Sequence, residues 1–180
     1  MIKAYFFDMM KTLMDYKDVV DFKEILTKEQ RNKLLIARNL ESLELGEYRT
    51  RTLHNALDST RFTIYDDTRE ILKKLKSENS KLALISNVYC TTNKKVRKLF
   101  PEFIGLFDVV TFSSEIGFKK PDLEIFSYTL KKINEFGEQI ISSEVVMIGN
   151  SQEEDINPAL SLGMQARLID RTKQNLKDVI

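Results

Sequence analysis

Within 180 residues, 28 Lys and Arg stand against 27 Asp and Glu, giving a formal net charge of +1, and 42% of the residues are hydrophobic. That length holds one α/β domain with room for a small insertion, and the even charge supplies no bulk field for nucleic acid or an anionic membrane surface. A single cysteine, Cys90, excludes an intrachain disulfide and a Cys-rich metal framework, which fits a reducing, cytoplasmic setting.

The first predicted element is a strand over Ile2 to Phe7, a short aromatic-rich run that stops at Asp8 and is too short for a signal sequence. From Met14 to Tyr65 the signals are helical only. Thr27 and Gln30 form a capping box, Leu34, Leu35, Leu40 and Leu43 follow, and Gly46 closes the stretch before a second helical run through Leu53 and Leu57. Asp67 and Glu70 form a second capping box that opens a helix over Thr68 to Lys76. Strands follow at Lys81 to Ile85, before Ser86, and at Asp108 to Phe112, before Ser113. Pro121 and Asp122 open an amphipathic helix through Ile125, Phe126, Leu130 and Ile133 that stops at Gly137. Two more strands, Val145 to Ile148 and Ala166 to Ile169, complete the series, and no run approaches the length of a membrane span.

Strands alternating with helices predict a doubly wound parallel sheet, in which ligands bind beyond the carboxyl ends of the strands. The chemistry-bearing residues gather at those ends. A carboxylate such as Asp8 on a buried strand end is a rigidly held nucleophile, Ser86 offers a neutral hydroxyl donor, Asn87 an amide, and Lys120 an ammonium that offsets negative charge. Asn150 and Asp155 add an amide and a carboxylate after the Val145 to Ile148 run.

Four segments, Phe6-Phe7-Asp8-Met9-Met10-Lys11-Thr12-Leu13, Leu84-Ile85-Ser86-Asn87, Gly117-Phe118-Lys119-Lys120-Pro121-Asp122 and Ile148-Gly149-Asn150-Ser151-Gln152-Glu153-Glu154-Asp155, together resemble the four ordered motifs of the haloacid dehalogenase-like (HAD) superfamily of hydrolases. The resemblance implies a Rossmann-like core over residues 1–13 and 66–180, with a small helical cap inserted over 14–65. It implies a phosphatase-type reaction on a small phosphorylated molecule, with Asp8 as nucleophile and Ser86, Asn87 and Lys120 around the phosphoryl group. It further implies Mg²⁺ held by Asp8, the Met10 carbonyl, Asn150 and Asp155. Pro121-Asp122 fixes the register on Lys120 and leaves Lys119 to solvent. No partner beyond the substrate is implied, and nothing in the pattern sets an oligomeric state.

Three positions depart from the family pattern. Met10 stands where the phosphatases carry a second Asp, the general acid and base whose loss costs about 10²- to 10⁴-fold in rate. Asn150 replaces a metal-ligating Asp, which predicts weaker Mg²⁺ binding because one carboxylate's attraction is gone. Lys11 replaces a Gly whose conformational freedom the turn uses. Met10 opens two alternatives: a 2-haloacid dehalogenase-like hydrolase, because halide leaves without a proton, or a catalytically degenerate domain that binds a phosphometabolite or a partner. The Gly-x-Ser-x-x-x-Asp spacing of the fourth segment favours the phosphatase type. His54, Arg49 and Arg51 read as a solvated helix face, Tyr16 and Lys17 as hinge-region residues, and Met9, Met10 and Met14 as core packing.

Overall fold

The computed structural model describes residues 1–17, 22, 26–40, 43–135 and 137–180. Five parallel strands, β1 (Ala4–Phe7), β4 (Lys81–Ser86), β5 (Val109–Phe112), β6 (Val145–Gly149) and β7 (Gln165–Leu168), lie in the order β5-β4-β1-β6-β7. Each falls within two residues of the expected run. Side chains alternate between faces along a strand, and here both faces are covered. Phe7, Leu82, Leu84, Val146 and Ile148 enter one core cluster, while Phe6, Ala83, Ile85, Val145 and Met147 enter the other. The first is covered by α3 (Thr68–Ser77) and α4 (Cys90–Leu99), with Leu72, Leu75 and Val96 facing inward, and the second by α7 (Leu123–Ile133), with Ile125, Phe126 and Ile133.

The register sets the level of the site. Phe7 lies opposite both Leu84 and Ile148, Ser86 opposite Phe112, and Gly149 opposite Leu168. The loops after β1, β4, β5 and β6 therefore open at one edge. The chain leaves β5 on one side of β1 and returns at β6 on the other, so this edge holds the topological switch point where open α/β sheets bind ligands.

The segment between β1 and α3 departs from the helix-only expectation. It contains α1 (Lys28–Ile36) and α2 (Glu47–Ser59), bracketed by an antiparallel pair, β2 (Met14–Lys17) and β3 (Arg61–Ile64). Met-Asp-Tyr-Lys and Arg-Phe-Thr-Ile each alternate apolar with polar, a period-two signal confined to four residues per strand. The Thr27–Gln30 capping box forms as expected. Leu34, Leu40 and Leu53 are buried with Phe22 and Leu26 in a separate small core that docks on Cys90 and Tyr89. The Leu57 side chain, expected on the same apolar face, lies outside the described residues. Ser113 Oγ, in the short helix α6 (Ser113–Ile116), donates 2.6 Å to the Leu35 carbonyl and joins the excursion to the main body. Among the described residues no helix is long and apolar enough to cross a membrane.

Two helix boundaries also differ. The α7 helix ends at Ile133, because the Asn134 amide exchanges hydrogen bonds of 2.9 Å with the Ile140 backbone; Gly137 lies beyond, at φ +114°. Asp67 makes no side-chain cap on α3. Its carboxylate instead takes a bidentate ion pair from Arg171, whose side chain is 5% exposed, and a 2.5 Å hydrogen bond from the Leu176 amide, tying the segment after β7 to the start of α3. Burial raises the Asp67 pKa, but the donors from Arg171 and Leu176 outweigh it and leave the carboxyl below its usual range.

Removing Asp67 strands a buried guanidinium. Asp67→Ala is expected to cost about 2 kcal/mol in urea unfolding at pH 7, whereas Glu70→Ala stays within about 0.5 kcal/mol. A carboxyl with a lowered folded pKa stabilises above its unfolded value and loses that contribution as pH falls through the folded value. The Asp67→Ala deficit should therefore shrink steadily as the medium is taken below pH 4.

Candidate active site

At the switch point three distant parts of the chain meet through charge. Lys120 Nζ lies 2.6 Å from Asp8 Oδ1 and 2.5 Å from Asp155 Oδ1, with Lys120 and Asp155 each 1% exposed and Asp8 6%. Asp8 follows β1, and its amide donates 2.9 Å to the Ile148 carbonyl of β6. Burial pushes the Asp8 carboxyl up against the pull of Lys120, to about 6. For Lys120, burial acts downward, and the two carboxylates together overcome it and raise the ammonium to about 12. Lys120 is thus a fixed cation across the working pH range. Lys119, by contrast, is half-buried and outside this cluster.

Asn87 positions that cation. Its Nδ2 donates 2.8 Å to the Lys120 carbonyl while its Oδ1 accepts 2.8 Å from the Lys120 amide, a two-way clasp between the β4 and β5 loops. Ser86, 1% exposed, ends β4 beside it. After β6 the backbone enters a π-helical turn, Gln152–Ile156, the kind of irregular turn often found at functional sites. Ser151 caps it by accepting from the Glu154 amide, and the Ser151 amide donates 3.0 Å to Asp155 Oδ2. Asp155 thereby spends one oxygen on the turn and the other on Lys120. Glu153 and Glu154 are exposed, as the sequence implied.

The loop after β1 keeps the turn in which the family pattern places Gly. Lys11 adopts φ +60°, a left-handed conformation that costs a non-glycine residue about 1 kcal/mol. Its ammonium pairs with Asp15 and lies 4.7 Å over the Tyr16 ring, contacts that offset part of the strain. Met9 and Met14 are buried in the core, and Met10 is partly buried beside them.

The residues that would hold Mg²⁺ fit a hard cation. One terminal atom of the Asn150 amide sits 3.3 Å from Asp8 Oδ2 and 3.0 Å from the Met10 carbonyl oxygen. With nitrogen there, the amide donates to both; with oxygen turned there instead, three oxygen donors would be available to a hard cation. Asn150 can serve either arrangement by turning its amide. The donor set remains one carboxylate poorer than an Asp would make it. Among the described residues, no group of three or more His, Cys, Asp or Glu side chains gathers as a metal site.

Sequence reasoning did not single out Gly149 as a site residue. A Cβ there would lie 2.3 Å from Asp155 Cγ and Oδ2, so the glycine is what lets Asp155 fold back beneath the strand end. The signal was available in Gly149 ending a buried strand, where glycine marks close approach. His54, Arg49 and Arg51 are exposed on α2, as expected, whereas Cys90 is buried, not at the surface.

The structure is thus a doubly wound α/β domain with a buried carboxylate–lysine–carboxylate centre at its switch point. The chain belongs to the haloacid dehalogenase-like hydrolase family, whose profile matches residues 2–169. It is 36% identical over 107 residues to a glyceraldehyde 3-phosphate phosphatase of Methanothermobacter thermautotrophicus, covering 59% of this chain and 44% of that protein. The chain spans about half the length of the curated relatives it matches. A HAD-like hydrolase structure from Porphyromonas gingivalis superposes with a TM-score of 0.77 at 20% identity, over 97% of this chain and 94% of that one. A HAD family enzyme from Bacteroides thetaiotaomicron, in complex with magnesium and inorganic phosphate, gives 0.70 at 19% identity, with 96% of each chain covered. These two likenesses establish the fold.

Gly149→Ala is expected to displace Asp155 from Lys120 and to destabilise the protein by about 3 kcal/mol, the upper end of overpacking costs, in chemical unfolding. An unfolding midpoint unchanged from wild type would show that the turn relaxes freely.

Proposed function

We propose that this chain is a phosphatase-type hydrolase acting on a small phosphorylated molecule through an aspartyl-phosphate intermediate on Asp8. The observation that carries this reading is the placement of the Asp8 carboxylate at a strand end, 2.6 Å from a buried ammonium. One Asp8 oxygen attacks phosphorus, the ester P–O bond breaks, and water then hydrolyses the resulting acyl phosphate. Lys120 stabilises charge on the transferring group, and Ser86 donates a neutral hydrogen bond to it. Asn87 acts by holding Lys120 in place. Mg²⁺, held by Asp8, the Met10 carbonyl and Asn150, with Asp155 in its outer shell, would supply Lewis-acid polarisation of the phosphoryl oxygens. The segment over 14–65 serves as a cap over residues 1–13 and 66–180, with the β2–β3 ribbon as its stem. A phosphatase of this kind, with one buried cysteine, suits the cytoplasm.

Met10 favours a second reading, in which the domain binds a phosphometabolite or a partner without turnover, since a thioether neither gives nor takes a proton. The same residue is compatible with a dehalogenase-like reaction forming an ester on Asp8. Phosphate release from a panel of phosphomonoesters, with Mg²⁺ or EDTA, separates these readings. Wild type should show slow, Mg²⁺-dependent turnover that Asp8→Asn abolishes, and Met10→Asp should accelerate it by about 10²-fold or more. Equal activity in wild type and Asp8→Asn would overturn the assignment, and turnover confined to Met10→Asp would favour the binding role.

A further inference from the structure

A cleft of about 260 Å³ opens between the main body and the β2–β3/α1–α2 segment, a size at or below the small end of ligand sites. Met10, Tyr16, Phe22, Phe62, Val88 and Tyr89 form most of its wall, and Phe22 and Tyr89 meet edge to face at 5.5 Å. Among the described residues, no Lys, Arg, His, Asp or Glu lines it. Asp8 is not among the lining residues, but two wall residues are linked to the site: Met10, two positions after Asp8, and Asn87, which clasps the backbone of Lys120.

Two consequences follow for whatever is bonded to the phosphoryl group. A second phosphate or a carboxylate on it would lose its water in this cleft and find no cation among the described lining residues, whereas a planar apolar ring would pack against aromatic side chains. The ammonium groups beside the wall, Lys11 and Lys95, lie 4.7 and 5.9 Å from the Tyr16 and Phe62 ring centroids and are engaged by Asp15 and the Thr60 carbonyl. The wall residue nearest the nucleophile in sequence is also the one that cannot protonate a departing oxygen. An alkoxide leaves poorly without that proton, because a simple hydroxyl ionises near pKa 15.7, as in water, while a phenol ionises near about 10 and leaves as the phenolate.

We infer that the apolar cleft beside Met10 selects phosphate monoesters of uncharged aromatic hydroxyls, aryl phosphates, over sugar, polyol and carboxylate-bearing phosphates. The inference rests on the assignment of Asp8 as the phosphoryl acceptor. In the first step the Asp8 carboxylate forms an O–P bond, the aryl O–P bond breaks, and its electron pair leaves on the phenolate. In the second, water adds to phosphorus, the acyl phosphate O–P bond breaks to regenerate the carboxylate, and the proton released is balanced by the one the phenolate takes from solvent. The first step needs no side-chain acid at position 10; the second proceeds without a side-chain base there, the attacking water giving its proton to solvent. Apolar wall and missing acid thus become one adaptation to one leaving-group class.

The test compares four substrates with the full chain and Mg²⁺. Phenyl phosphate has the ring and the good leaving group, benzyl phosphate the ring alone, acetyl phosphate the good leaving group alone, and glycerol phosphate neither. Wild type should favour phenyl over glycerol phosphate in kcat/KM by about 100-fold or more. Benzyl phosphate should match phenyl phosphate in KM and fall behind in kcat, and Met10→Asp should recover that kcat by about 10²-fold. Thr92→Glu places a carboxylate in the cleft wall at the first turn of α4, where an acidic residue suits the helix; it should lower the ratio of phenyl to acetyl phosphate turnover about tenfold through KM. Glycerol phosphate turned over as well as phenyl phosphate, or a phenyl-to-acetyl ratio untouched by Thr92→Glu, would overturn the inference while acetyl phosphate turnover still upheld Asp8. Silence with all four substrates in wild type and in Met10→Asp would overturn both.

Discussion

An ammonium buried between two carboxylates sets the terms for the rest of this molecule. Lys120, Asp8 and Asp155 come from the loops after β5, β1 and β6, so satisfying their charges forces three crossovers to end at one point. Removing one member of such a cluster typically costs about 3–5 kcal/mol, because the charge left behind has neither partner nor water. The surrounding devices follow from that need. Gly149 clears space for Asp155, the π-helical turn aims it, and Asn87 fixes the backbone from which Lys120 extends. Yet the cluster carries two carboxylates for one cation, and burial lifts Asp8 to about 6. The Asp8 carboxylate is therefore held in a setting where its negative charge is only partly compensated, by the one ammonium it shares with Asp155.

Much of this was legible in the chain itself. The central strands β1, β4 and β6 declared themselves because burial on both faces demands unbroken apolar runs, and these three ended at residues the site uses: Asp8, Ser86, Gly149. Lys120 was distinguishable from Lys119 only through the adjoining Pro121-Asp122, and the structure brings Lys120 inside. Other features were hidden for identifiable reasons. The β2–β3 ribbon alternates over four residues per strand, too short to stand out against the neighbouring helical signals. Asp67 and Glu70 have capping-box spacing, but Arg171, more than a hundred positions away, offers the Asp67 carboxylate a stronger partner than a helix amide does. No local pattern reveals such a competitor. The placement of the Asn150 amide beside the Met10 carbonyl and Asp8 is likewise a tertiary property.

The departures from the family pattern fall into two kinds. At Lys11 the chain keeps the left-handed turn despite the side chain, and Asp15 and Tyr16 brace it, so the backbone geometry survives the change of residue. At Met10 and Asn150 the departure is in side-chain chemistry: a thioether in an apolar wall stands where the family pattern has a proton donor, and an amide able to face either way stands where it has a carboxylate. Retained geometry with altered proton and metal chemistry is what a narrowed range of leaving groups would select.

The central claim is that Asp8 becomes covalently phosphorylated. Acid-quenched mass spectrometry of the full chain after brief incubation with acetyl phosphate and Mg²⁺ tests it most directly. The account predicts one added phosphoryl group, mapped to the peptide containing Asp8 and absent from Asp8→Asn. A phosphoryl group on another residue, or phosphate released at the wild-type rate by Asp8→Asn, would contradict it.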